Sequence, residues 1–339
     1  MAAVRAARPP SYFCNILARY GWFTALMTFG SCVSAVAWAA QMMFLVNVFN
    51  ITAIVGPVQK TSQTSLLALA YSWHAAFTVT YAIEFLCLSA AKLMVLDRMS
   101  VFAAPQGTRL QTRWAAAGRV VMAAVVLGNA VGLAANAAAA VHYHKAAEAM
   151  STASAHYAAN RTKDGDHFRY ELSRQEWQRG GSIASVQSFS EVAVLLLIVV
   201  AFVVVGVLSA RRVSARLLGV DAASAAAATG RALRVQILGT TAFVFVAFLI
   251  RSVFSTMYAV VNQLRDYDKN CPPGTNFCDS SCFNVFTHIN QWMFYTPEFQ
   301  LIIILISSPL ALLVALWGMT SKLTLQLMKP VELLVRLIK

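Results

Sequence analysis

The chain has 339 residues, of which 58% are hydrophobic and only 12% are charged, and its formal net charge is +13. Soluble globular domains carry about 25% charged residues, so this composition excludes that class. A transmembrane helix needs about 20 mostly apolar residues, and six stretches of the chain reach that length. They predict an all-α polytopic membrane bundle with six transmembrane helices, at about 22–48, 65–97, 115–142, 190–209, 235–262 and 299–318.

The first predicted span follows a basic N-terminal segment, residues 1–21, which contains three arginines. Ala37-Trp38-Ala39 has the small-x-small form of a signal-peptide cleavage site, so cleavage of the first span is an open alternative. The apolar region of a signal peptide is about 7–15 residues long, whereas apolar residues here continue from Gly21 to Phe49. This length favours a retained first helix.

The second and fifth spans each contain a deeply placed ionisable residue. Glu84 lies about 21 Å from the end of its span at Arg98, and Arg251 about 24 Å from Val235, at a rise of about 1.5 Å per residue. Because an ionisable residue in the middle of a bilayer is expensive, the pair is a candidate functional site. We therefore predict a buried Glu84–Arg251 ion pair, either as a structural clamp or as part of a polar site. Possible neighbours in that site are polar residues of spans two, three and five: His74, Tyr81, Asn129, Asn136, Ser255 and Tyr258.

Four further charged residues lie near the ends of predicted spans, where they have simpler explanations. Lys92 and Arg119 are close enough to a membrane surface for their long side chains to reach it. Glu191 and Glu298 are predicted at helix N-termini, where the helix dipole favours an acidic side chain.

The longest predicted outer segment, 143–189, joins spans three and four. Its first part is rich in Ala, the best helix former, so helix three is expected to continue to about Ala159. Residues 160–189 are polar, and Gly180-Gly181 predicts a break before span four. The chain has two N-glycosylation sequons, at Asn160 and Asn50, of which Asn160 is the better acceptor because Asn50 is close to the membrane.

A second outer segment, 263–298, contains Cys271, Cys278 and Cys282. Outside the cytoplasm, oxidising conditions favour a disulfide bond in this Cys loop. The sequence does not decide which two of the three cysteines pair, and unpaired thiols or a zinc site remain alternatives.

Basic residues are concentrated in alternate connections between the spans. One set of flanks, counted together with the adjacent Asp97, contains 15 Lys and Arg residues but only 3 Asp and Glu residues. These flanks are 1–21, 98–113, 210–234 and 319–339. The other flanks, counted without Glu298, contain 9 Lys and Arg residues and 8 Asp and Glu residues. They are 49–64, 143–189 and 263–298. By the positive-inside rule both termini are predicted to be cytoplasmic. The amphipathic tail, 319–339, is expected to lie on the anionic inner leaflet.

Function is less well determined by the sequence than topology. There is no P-loop, metalloprotease or hydrolase motif, so we expect neither an enzyme nor a cofactor. The basic residues flank spans rather than form one patch, so we expect a lipid bilayer and not nucleic acid as partner. The sequons and outer cysteines favour the plasma membrane or an endomembrane.

Three functions remain open. A receptor-like or sensory protein would bind an outer ligand and contact a cytoplasmic protein through its basic loops. A transporter or channel would use a polar midplane site around Glu84 and Arg251, and a water-filled cavity at these residues would indicate it. A dry, packed pair would favour a receptor or a non-catalytic membrane scaffold.

Overall fold

The computed structural model describes residues 10–53, 60–103, 108–160, 163–217 and 225–264, and isolated positions between 288 and 314. Side chains are described for most of these residues from Gly21 onward, but not for those at most of the helix ends. This part of the chain is entirely helical. Its helices are α1 (Pro10–Ala53), α2 (Lys60–Ala103), α3 (Thr108–Asn160), α4 (Lys163–Leu217) and α5 (Ala225–Leu264). The first five predicted spans lie within them. The sixth span, the Cys loop and the tail lie outside the described residues, apart from those isolated positions.

All five described helices are long and apolar enough to cross a membrane. They contain between 40 and 55 residues, which at about 1.5 Å per residue is roughly 60–80 Å. The hydrocarbon core of a bilayer is only about 30 Å thick, so each helix extends beyond it. These dimensions fit a multi-pass membrane protein. The cytoplasmic placement of both termini stays a prediction from the basic residues.

The helices pack mainly against their neighbours in the chain, and α2 also contacts α4. Consecutive helices run in opposite directions, so the bundle has two ends. The α3–α4 connection lies at one end, and the α2–α3 connection at the other. We call these the α3–α4 end and the α2–α3 end.

Helices α3 and α4 form a long antiparallel hairpin at the α3–α4 end. As predicted, α3 continues past His142, and it ends at Asn160. The predicted break at Gly180-Gly181 is wrong, because α4 is continuous from Lys163 to Leu217. A Cβ atom on Gly180 would lie 2.7 Å from Cε1 of the buried Tyr143 ring. Glycine at this position therefore allows the two helices to approach closely instead of ending α4.

The bundle core consists of two main apolar clusters. Towards the α2–α3 end, Val95 of α2 belongs to the same cluster as Phe202 of α4 and Phe248 of α5. Towards the α3–α4 end, Tyr143 of α3 and Trp177 of α4 belong to the other. Polar side chains occupy the helix segments between these two clusters, as described next.

Candidate functional site

A layer of polar side chains lies between the two apolar clusters. It is formed by α2, α4 and α5, the helices that also carry most of the core at the α2–α3 end. We call the following residues the polar layer: Tyr81, Glu84, Gln187, Glu191, Arg251 and Ser255. All except the half-buried Tyr81 are buried. Burial of this many polar groups in an apolar bundle is favourable only where they bond to one another.

The centre of the polar layer is an ion pair between Arg251 and Glu191. Nε of Arg251 lies 2.8 Å from Oε1 of Glu191, and the two side chains are only 4% and 1% exposed. The acidic partner of Arg251 is therefore Glu191. The prediction that Arg251 pairs with Glu84 is wrong. The sequence predicts Glu191 at a helix N-terminus because the purely apolar run begins just after it. The helix begins instead at Lys163, so Glu191 lies well inside it.

Three neutral side chains add hydrogen bonds to this ion pair, while Nη1 of Arg251 has no hydrogen-bond partner among the described residues. The Tyr81 hydroxyl accepts a hydrogen bond from Nη2 of Arg251 and donates one to Oε2 of Glu191 at 2.8 Å. Gln187 Nε2 and Ser255 Oγ each donate to Glu191 at 3.0 Å. The carboxylate thus receives hydrogen bonds from α2, α4 and α5. This arrangement links the three helices at one point and leaves no net charge.

Two more ionisable side chains are buried near this ion pair. Glu84 is 2% exposed, and its Oε2 has no hydrogen-bond partner among the described residues. Lys92 is 1% exposed, and its Nζ lies 4.6 Å from the centre of the Phe248 ring, within the range of a cation–π contact. The prediction that Lys92 reaches the membrane surface is therefore wrong. Both residues are within electrostatic range of Arg251 and Glu191, and the four formal charges cancel.

A small cavity lies beside the polar layer and has a volume of about 40 Å³. All five described helices contribute to its wall. Its polar wall contains side chains of the polar layer and others: Gln41, Thr78, Tyr81, Asn136, Gln187, Ser188, Glu191 and Ser255. Its apolar wall is mostly aromatic: Trp38, Phe77, Ala184, Phe254 and Tyr258. Gln41 is 2% exposed, and its Oε1 has no hydrogen-bond partner among the described residues.

The remaining residues predicted for the site are divided between the cavity and its surroundings. Asn136 lines the cavity and donates to the carbonyl of Thr78 at 3.0 Å, and Tyr258 is also in the wall. His74 lies in an aromatic group instead, with ring centres 4.7 Å from Tyr143 and 5.1 Å from Trp177. Asn129 donates to the carbonyl of Val125 in its own helix and is not among the cavity residues.

The sequence-based prediction missed Gln41, Gln187 and Glu191. Gln187 and Glu191 are four residues apart, which indicates neighbouring side chains only if both residues belong to one helix. The sequence alone did not show that α4 extends through both. Gln41 carried no comparable signal, because a single neutral polar residue in an apolar span is common.

The contacts of this site join helices α2, α4 and α5 through charge-assisted hydrogen bonds. It combines an ion-pair network without net formal charge, aromatic surfaces and three buried polar atoms that have no hydrogen-bond partner among the described residues: Gln41 Oε1, Glu84 Oε2 and Arg251 Nη1. Within the described residues, no group of three or more His, Cys, Asp or Glu side chains is placed to hold a metal ion. No protein-family model, characterised protein or solved structure matches this chain.

Proposed function

We propose that this chain is a receptor-like membrane protein whose transmembrane bundle binds a small ligand in the cavity beside Glu191. The observation that carries the proposal is that the cavity is lined by all five described helices and shares its wall with the ion-pair network. A ligand held there contacts every one of these helices at once. The space between the helices of a bundle is a common place for a ligand site, and aromatic side chains with placed polar groups are common in its wall.

Coupling to the other side of the membrane follows from the same contacts. Three cavity residues, Tyr81, Gln187 and Ser255, donate hydrogen bonds to Glu191, which holds Arg251 of α5. A ligand that displaces any of these donors changes how α2, α4 and α5 are joined. The far ends of α4 and α5 meet in a small cluster of Ala210, Val213, Leu233 and Ile237. In the orientation favoured by the basic residues, that cluster is cytoplasmic and adjoins the loop expected to contact a partner protein.

Transport is the second candidate, and the burial of Glu84 favours it. A carboxyl group with an unpartnered oxygen in the core is typical of residues that carry protons or cations through membranes. Against transport, Glu191 and Arg251 are almost completely buried and bonded to each other. Glu84 and Arg251 are also not among the cavity residues.

Two measurements on the same purified chain distinguish these functions. The full chain is reconstituted in liposomes for flux measurements and in nanodiscs for amide hydrogen exchange. A receptor-like protein gives no flux of Na⁺, K⁺, H⁺ or Cl⁻ above that of protein-free liposomes. It also shows a change of exchange in residues 210–217 and 225–237 when compounds from a panel of amides, alcohols, amines and carboxylates are added. Ion flux would instead identify a transporter, and neither response would leave a scaffold.

A further inference from the structure

We propose that the ends of α4 and α5 form a binding site for an anionic lipid whose headgroup carries more than one phosphate group. The site lies at the α2–α3 end of the bundle, away from the cavity. The inference therefore goes beyond the proposed function, and it holds whether or not the cavity binds a ligand. It rests on the arginines at this end, on the packing of the two helices that carry them, and on the apolar faces that lead to them.

The positive charge at this end comes from arginine alone. Residues 210–234 contain five arginines, no lysine and a single acidic residue, Asp221. Arginine and lysine are equivalent where a membrane surface needs only positive charge. Of the two, however, only the planar guanidinium group of arginine binds two oxygens of a phosphate group at once. Four of the arginines have described side chains, and three of these are exposed: Arg211, Arg231 and Arg234. This composition suits a phosphate site.

The two helices hold these arginines at one level of the bundle. Their ends pack against each other in the buried cluster of Ala210, Val213, Leu233 and Ile237. Arg211 directly follows one member of this cluster and Arg234 directly follows another, so both lie at the level of the contact. Slightly deeper in the bundle the helices approach closely, because a Cβ atom added to Gly206 would overlap with the side chain of Thr241. Packed helices lie about 8–10 Å apart, so one headgroup with two phosphate groups can contact both arginines.

Exposed apolar side chains lead along each helix to its arginine. Val204 is 44% exposed and precedes Arg211 by seven residues, and Leu238 is 38% exposed and follows Arg234 by four. Residues four or seven apart lie on the same face of a helix. Exposed apolar side chains of a membrane bundle contact acyl chains, so each arginine lies where the acyl chains of a lipid end and its headgroup begins. This continuity favours a lipid over a soluble phosphate or an acidic protein.

Native mass spectrometry of the full chain in detergent micelles tests the class of lipid. The probes are phosphatidylinositol bisphosphate, phosphatidylserine and phosphatidylcholine with identical acyl chains, and soluble inositol trisphosphate. The bisphosphate lipid should bind about tenfold or more tightly than phosphatidylserine, because its phosphate groups can engage both arginines. Inositol trisphosphate should bind about tenfold or more weakly than the bisphosphate lipid, because it has no acyl chains to contact the apolar faces.

Two double variants with the same loss of charge locate the binding. Arg211→Gln/Arg234→Gln should weaken binding of the bisphosphate lipid by about tenfold or more. Arg113→Gln/Arg119→Gln is the matched control, because it removes two exposed arginines of α3 at the same end of the bundle. It should change binding by less than about twofold, since surface charges at a distance are screened. All four positions are exposed, so both variants should fold like the unaltered chain.

Equal losses of binding in the two double variants would overturn the proposal, because basic residues would then attract anionic lipid without forming a site. Three other results would also overturn it: phosphatidylserine binding as tightly as the bisphosphate lipid, inositol trisphosphate binding as tightly as that lipid, or polyglutamate displacing it. The last result would indicate an acidic protein as the partner of this surface. None of these outcomes bears on the receptor-like function, which ion flux and amide hydrogen exchange test separately.

Discussion

At the scale of single residues, the bundle is organised around charges that are buried but balanced. Glu191 and Arg251 are nearly inaccessible, and each would be costly in an apolar core without the other. Tyr81 is suited to its position because its hydroxyl both accepts from Arg251 and donates to Glu191. Replacing one member of such a pair is much worse than replacing both, because a single replacement leaves a buried charge without a partner.

Replacing Glu191 should therefore be strongly destabilising. Glu191→Gln is expected to lower the free energy of unfolding by about 3–5 kcal/mol, as is typical when one partner of a buried ion pair is removed. Glu84→Gln should have a much smaller effect, because Glu84 forms no ion pair with any described residue. Reversible unfolding of the purified chain in mixed detergent micelles measures these differences.

The double variant Glu191→Gln/Arg251→Gln tests the pairing itself. It should lose less stability than the sum of the two single variants, because no unpaired charge remains. Arg234→Gln, at an exposed position of α5, is the control and should be close to neutral. Additive effects of the two single variants, or a larger loss for Glu84→Gln than for Glu191→Gln, would contradict the assignment of the ion pair.

At the scale of the helices, close approach matters more than local propensity. Glycine disfavours helix formation in isolation, yet α4 continues through Gly180 and Gly181. The reason is the fit against α3, where the buried Tyr143 ring occupies the space that a side chain on Gly180 would need. Ser173 strengthens the same contact by donating to the carbonyl of Ala146 at 2.8 Å.

Gly180→Ala should consequently destabilise the α3–α4 hairpin. The added methyl group meets the ring of Tyr143, and overpacking of this kind costs about 1–3 kcal/mol. Gly118→Ala is the matched control, because Gly118 is exposed in α3 with nothing within 4 Å of its added Cβ. It should be neutral or stabilise by about 0.5–1 kcal/mol. Thermal unfolding of both variants compares them, and a Gly180→Ala variant as stable as Gly118→Ala would show that the helices are not packed as described.

At the scale of the whole molecule, the hairpin and the basic connections lie at opposite ends of the bundle. Asn160, at the end of α3, lies roughly 27 Å beyond His142 at about 1.5 Å per residue. The predicted orientation places this end outside the cytoplasm and the α2–α3 end inside it. In that orientation the hairpin is the part of the described chain that projects furthest towards an outer ligand or partner.

Glycosylation tests that orientation directly. Synthesis of the full chain with microsomes should attach a glycan at Asn160, seen as a mass increment that glycosidase treatment and Asn160→Gln both remove. Asn50→Gln should not change the glycosylated mass, because Asn50 is too close to the membrane. Gln106→Asn creates a sequon with Thr108 in the α2–α3 connection, which should stay unmodified. A glycan there instead of at Asn160 would reverse the orientation.

The sequence by itself determined the helical class, the first five apolar spans and the presence of deeply placed charges. These properties are local, because the length and hydropathy of a segment decide whether it suits a bilayer. The sequence also named Arg251 and Tyr81 as polar residues of the site; Arg251 is buried and Tyr81 is half-buried. It could not identify Glu191, since that required knowing that α4 begins at Lys163.

Only the tertiary structure decided which charges meet and where space remains. The partner of Arg251 depends on the rotation and axial shift of α2, α4 and α5, and the depth of a residue along one helix determines neither. The cavity beside Glu191 depends on all five described helices together. The burial of Gln41 likewise appears only once α1 is packed against the other helices.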